Sequence, residues 1–150
     1  MATKWYGKAA QAVASKKINL TSDTFKVMLV TSAYTPNQDT HTTKSDVTGE
    51  MTGDGYTAGG VTLTGLTLTQ NTSENKWTWD ADDVTWTGLT GSFRYAVIYD
   101  DTDATKPLVG YADLGAQTVS NQNVTIKWEY YYYNGIDPAT TTTGILELGY

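Results

Sequence analysis

The one histidine, His41, lies two residues from Asp39, and with a serine alongside, this pair has the residue types of the base and orienting acid of a Ser-His-Asp triad. No serine here sits in the strained turn motif that presents such a nucleophile, and the residues around His41 are loop formers. His41 therefore reads as a loop-bracing residue without a catalytic role. Carboxylates gather twice, at Asp80, Asp82 and Asp83 and at Asp100, Asp101 and Asp103, which is the chemistry a hard cation would use. Neither cluster has the glycine at position six or the glutamate at position twelve of an EF-hand loop, so both read as solvated turn acids. Glycoside hydrolysis needs two carboxylates placed across a cleft, and no pair is singled out by spacing. The expectation is an enzyme-free reading: no catalytic residue, no cofactor-binding residue and no metal ligand.

Aromatic side chains are the more informative group, with five tryptophans and eleven tyrosines. Most belong in a core or along strand faces. Trp79, Trp86 and Trp128 are expected in or near the core, and Trp77 could face either way. The run Tyr130, Tyr131, Tyr132 and Tyr133 differs, because a strand would place tyrosines on both of its faces at once. Its neighbours Asn134-Gly135 and Asp137-Pro138 are turn signals, so the run is expected in a projecting insertion over 130–143 that serves as a contact surface.

The elements that must position these residues follow from hydrophobic patterning. Ser92 to Asp100 alternates Phe93, Tyr95, Val97 and Tyr99 on one face with Ala96 and Ile98 on the other, which marks an interior strand. Phe25 to Ser32 has comparable character. These two are expected at the centre, with Leu29, Tyr95, Val97, Trp86 and Trp128 buried, and with Leu29 and Val97 in one shared core. Lys4 to Lys16 spaces Trp5, Ala9, Ala12 and Val13 as an amphipathic helix capped by Thr3, closing a segment over 1–20. Ala33 to Gly60 reads as a long polar loop with a short helix over Lys44 to Glu50, capped by Ser45. Val61 to Thr69, Lys76 to Asp80, Asp83 to Thr87, Pro107 to Leu114, Val124 to Glu129 and Gly144 to Gly149 read as further short strands, and Asp100 to Lys106 as an acidic loop. Short strands at this spacing predict an all-β, mainly antiparallel fold: one domain over 1–150, a β-sandwich or small barrel with long polar loops.

Composition excludes several classes. A net charge of −6 and a pI near 4.5 repel phosphate backbones and acidic leaflets, so neither nucleic acid nor a membrane is an expected partner. Without cysteine there is no disulfide framework and no thiolate chemistry. Lys8 and Gln11 break the N-terminal apolar run below the length of a signal sequence. The chain reads as made in the cytosol and soluble.

The segments Asp23 to His41, Gly55-Tyr-Thr-Ala-Gly-Gly, Asp80-Ala-Asp-Asp-Val-Thr-Trp86 and Arg94-Tyr-Ala-Val-Ile-Tyr together resemble a family of small virion proteins of tailed bacteriophages. The resemblance runs in order from the N-terminal helix through Lys127-Trp128 and resumes at Gly144-Ile-Leu, and departs from the family in the tyrosine run and Ile136 to Thr143. It implies a structural virion component made in the bacterial host cytoplasm. Capsid decoration is the leading role, with the major capsid protein and further copies of the chain as partners, in an oligomer such as a trimer. A tail-fibre or tail-tip adhesin is the alternative within the resemblance, and a carbohydrate-binding module the alternative outside it. The family supplies no catalytic residues.

Overall fold

The computed structural model describes residues 3–128, 131–132 and 144–149. In chain order the elements are β1 (Thr3–Trp5), α1 (Gly7–Ala14), β2 (Phe25–Val30), a 3-10 turn (Lys44–Asp46), β3 (Val61–Thr62), β4 (Thr67–Asn71), β5 (Lys76–Asp80), β6 (Val84–Asp100), β7 (Leu108–Ile126), β8 (Tyr131–Tyr132) and β9 (Leu146–Gly149). All the strand pairs are antiparallel. The larger sheet runs β1-β7-β6-β2-β3, with β8 also on β7, and the smaller runs β4-β5-β9. The described residues therefore form an all-β fold with two sheets and one α-helix, and their strands close no barrel.

β2 and β6 are apolar on both faces because the larger sheet is covered on both sides. Phe25, Val27 and Leu29 enter a cluster that also takes Trp79 and Leu146 from the smaller sheet, with Trp86 and Trp128. Met28 and Val30 point the other way, into a second cluster with Tyr95, Val97 and Tyr99 of β6, roofed by Tyr6, Ala9 and Tyr34. Leu29, Tyr95, Val97, Trp86 and Trp128 are all buried. Leu29 and Val97 do not share a core, however: they lie in different clusters on opposite sides of one sheet. The expected grouping of Phe93 with Tyr95 fails for a related reason. The β6–β7 register shifts between Phe93 and Tyr95, and this bulge sends Phe93 into the first cluster while Tyr95 stays in the second.

β6 and β7 are 17 and 19 residues long, and each joins what patterning divides into separate short strands. Four register shifts let the ribbon absorb its turn-like residues without ending, so that Gly88, with φ +64°, serves a bulge instead of a loop. The reverse error occurs over Val61 to Thr69. This stretch is two strands in different sheets, parted at Gly65, where φ is +64° and any Cβ would lie 2.3 Å from the Asp82 carboxylate.

The N-terminal helix is shorter than its periodicity suggests. Thr3–Trp5 is a strand paired with Gly110–Ala112, and the helix begins at Gly7, preceded by Tyr6 as its cap residue instead of Thr3. An edge of β7 offers those three residues a ladder, which outweighs weak helical propensity. In the long loop the helix expected over Lys44 to Glu50 is one 3-10 turn capped by Thr43, not Ser45, and Glu50 bridges to Val30.

Candidate interaction surfaces

The tyrosine run meets the fold at the end of the β6–β7 ribbon. The backbone of Tyr131 and Tyr132 forms a short strand in register with Ile126 and Thr125, which extends the larger sheet on the β7 side. Tyr130, Tyr133 and the rest of the expected insertion, 134–143, lie outside the described residues. Trp128, just before the run, is buried and donates its indole N–H to the Asp82 carbonyl at 3.0 Å, so the ribbon end is anchored where the tyrosines begin.

A second aromatic group was not legible in sequence. Tyr6, Tyr34, Tyr95 and Tyr111 cover the outer face of the larger sheet, with ring centroids 5.3 to 6.3 Å apart. Asn37 N–H donates to His41 Nδ1 at 3.3 Å, which makes that nitrogen an acceptor. Tyr34 O–H therefore donates to it at 2.8 Å, and Tyr6 O–H donates in turn to Tyr34 at 2.8 Å. Burial pushes the Tyr6 phenol well above its ordinary titration range and raises that of Tyr34, so the chain of hydroxyls stays neutral. His41 also stacks on Tyr34. It braces a loop, as its sequence context suggested. Asp39 does not orient it in any contact the structure gives.

The 31–60 loop is tied to the sheet through Glu50 and Tyr56. Tyr56 O–H donates to Glu50 at 2.8 Å and accepts from Leu29 N–H at 3.2 Å, and Gly59 N–H donates to the same Glu50 oxygen at 2.5 Å. Asp46 accepts the backbone amides of Thr42 and Thr43 at 2.8 and 2.9 Å, which holds its carboxyl below the usual range. Beside the tyrosine patch, Arg94 forms two hydrogen bonds to Asp113, at 3.0 and 2.8 Å, and lies 5.1 Å over the Tyr95 ring.

The carboxylate clusters behave differently from one another. Asp82 and Asp83 are exposed acids between β5 and β6, and Asp82 accepts the Thr64 hydroxyl at 2.9 Å. Asp101 is held below the usual carboxylate range by Lys106 and then Lys26, each in hydrogen-bonding contact. Asp100 departs from the expected solvated turn: its side chain is fully buried, and Oδ2 has no hydrogen-bond partner among the described residues. Phe25 faces Asp100 across the ladder, and Asp23, two residues earlier, brings a second carboxyl against it. Burial first, and then Asp23, hold Asp100 above the usual range. Among the described residues, no three His, Cys, Asp or Glu side chains gather to hold a cation.

A test follows from the sign of that shift. Stability associated with a raised carboxyl is complete below its unfolded value, about 4, and is lost as pH rises through the folded value. Asp100→Asn keeps an acceptor for the Thr102 amide, now 2.7 Å from Oδ1, and supplies a donor toward Asp23. The variant should match or exceed the parent melting temperature at pH 7, with the gap closing toward pH 4. A variant several degrees less stable at pH 7 would show that Asp100 works as a carboxylate.

Trp77 is the exposed large apolar side chain of the described surface, at 37%. It shares a strand face with buried Trp79 but sits beyond the edge of the core. Clefts of about 450 and 420 Å³ flank α1, the first against Thr42, Thr105 and Pro107, the second against Leu68 and Leu148. No helix among the described residues is long and apolar enough to cross a membrane. No protein-family model matches this sequence, and comparisons with curated proteins and with solved structures likewise return no match.

Proposed function

We propose that this chain is a non-enzymatic structural protein of a tailed-phage virion, a β-sandwich that decorates the outer capsid surface as an oligomer. The observation that carries the reading is where the resembling segments lie. Although scattered in sequence, they are tied to one another: Tyr56 accepts from Leu29 N–H, Tyr99 O–H donates to the Gly59 carbonyl at 2.8 Å, and Trp128 reaches Asp82. The resemblance thus follows one interlocked framework, and the departing tyrosine run attaches at its margin. A decoration protein works by burying surface across neighbouring capsomers, about 1,200–2,000 Å² for a stable contact, and so stabilises the shell by mass action. Loops fixed by Glu50, Asp46 and the tyrosine chain suit that task, since a surface already ordered loses little entropy on binding.

Replacing 130–137 with a Gly-Asn turn tests the contact role of the tyrosines. The expected product is folded but monomeric, or no longer sediments with capsids. Unchanged mass together with unchanged capsid binding would remove the tyrosines from the interface. Exposed Trp77 is the one observation that favours the glycan-binding alternative, because a flat aromatic ring can stack on a sugar. Capture on a glycan array, abolished by Trp77→Ala, would move the assignment to an adhesin or carbohydrate-binding module.

A further inference from the structure

An open sheet edge is a template for another strand, and folds guard such edges by shortness, charge, bulges or cover. Among the described strands all but one are guarded in these ways. In the larger sheet β3 and β8 have two residues each, and β1 has three with Lys4 in the middle. β7 is open between the residues that pair with β1 and those that pair with β8, but Gly115 and Asn121 interrupt that stretch with φ of +73° and +49°. The side of β6 that extends past β2 is covered at Thr90, whose N–H donates to the Asp54 carbonyl at 2.9 Å. In the smaller sheet β9 has four residues and carries Glu147. β4 is the exception. Thr67–Asn71 pairs with β5 over five consecutive residues without a register shift, and it contains no charged residue, no proline and no glycine. No described strand lies on its other side, and Thr67, Thr69 and Gln70 are exposed.

We infer that β4 pairs with β4 of a second copy, antiparallel about a two-fold axis at Thr69, so that the two smaller sheets become one continuous sheet. Self-complementarity selects the occupant. A strand meets its own copy in antiparallel register by a two-fold rotation, which makes the contact isologous. An axis at Thr69 uses the whole strand: Thr69 faces Thr69, Leu68 faces Gln70 and Thr67 faces Asn71 of the second copy. No like charges are set opposite each other, although each chain carries a net charge of −6. The register with β5 continues the match. Thr67 lies beside Asp80 and Asn71 beside Lys76, so Asp80 of each copy enters one cross-strand row with Lys76 of the other. In the next row but one, Trp77 lies beside Gln70, and the contact brings Leu68 of the second copy into the row of this exposed ring. The inference stands on the sheet edge and not on the virion role. With the copy–copy contact placed at β4, the tyrosine run is left to the capsid, and the 130–137 replacement should keep the dimer and lose the capsid.

Because the chain has no cysteine, one introduced thiol reports on one position. Thr69→Cys should oxidise to a covalent dimer, since directly opposed residues have Cβ atoms about 4.5–5.5 Å apart, close to the reach of a disulfide. Thr67→Cys, also exposed but placed across from Asn71, should not. Sedimentation of the full chain over a concentration series should show a monomer–dimer equilibrium for the parent. Thr69→Lys should be a folded monomer, because two ammonium groups would meet on the axis, and mixing it with Thr69→Asp should restore association. Circular dichroism melts identify an unfolded variant, and should Thr69→Lys fail to fold, the two cysteine variants still decide. A parent that is monomeric at every concentration, a Thr69→Lys variant that dimerises as the parent does, or a Thr69→Cys variant that cross-links no better than Thr67→Cys would each overturn the contact. Capsid co-sedimentation of the same samples separates the two readings. A monomeric parent that binds capsids rejects the β4 contact alone, whereas a dimeric parent that ignores capsids rejects the virion role alone.

Discussion

Val97→Asp is expected to yield no soluble, cooperatively melting protein. Val97 is fully buried in the second cluster, beside Tyr95 and Tyr99 and under the Tyr6–Tyr34 roof. The cations at its rim, Lys44 over the Tyr99 ring and Arg94 over the Tyr95 ring, are already paired with Glu50 and Asp113. An unpaired buried charge costs several kcal/mol even after relaxation, against a total stability of about 5–15 kcal/mol for a domain. Val97→Ala, which only removes methyl groups, should stay folded with a loss of about 1.5–3 kcal/mol. Soluble Val97→Asp with the parent melting temperature would mean that the outer face of the sheet is not a core.

Trp79→Ala is the second large effect. The Trp79 ring packs edge-on against Phe25 with centroids 4.9 Å apart, and its N–H donates to the Leu20 carbonyl at 2.8 Å. One side chain thus joins the smaller sheet, the larger sheet and the turn after α1. Truncating a buried tryptophan costs about 3–5 kcal/mol, and the stranded carbonyl adds about 1 kcal/mol. Denaturant melts should show a midpoint lowered by that amount at nearly unchanged slope. Trp77→Ala, two residues away on the same strand face but 37% exposed, should cost far less. Equal losses at the two positions would contradict the placement of the smaller sheet.

The residues that read most clearly were those with one dominant influence. β2 and the second half of β6 are apolar on both faces, and a segment of that kind has few alternatives to an interior strand. The direction in which each face points was less legible, since a bulge between Phe93 and Tyr95 swaps faces without leaving a composition signal. Helix periodicity over Lys4 to Lys16 was real for Ala9, Ala12 and Val13 but extended too far. Trp5 fits a helical stripe equally well, and only the nearby β7 edge makes it a strand residue. Asp100 both ends the expected Ser92 to Asp100 strand and opens the expected acidic loop, and its side chain follows the strand, continuing the Ala96 and Ile98 face into the interior. Strand parity could have raised that alarm. The chain of Tyr6, Tyr34 and His41 had no sequence signal, because its partners lie 28 and 7 residues apart and meet only through tertiary packing.

The most direct measurement for the virion role is a density map of the particle carrying this chain. The two-sheet body should appear in many copies on the outer surface of the head, seated across capsomer boundaries, with the Tyr130–Tyr133 corner at a contact. Density for the chain only at the tail tip, or a head surface fully accounted for without it, would contradict a decoration role.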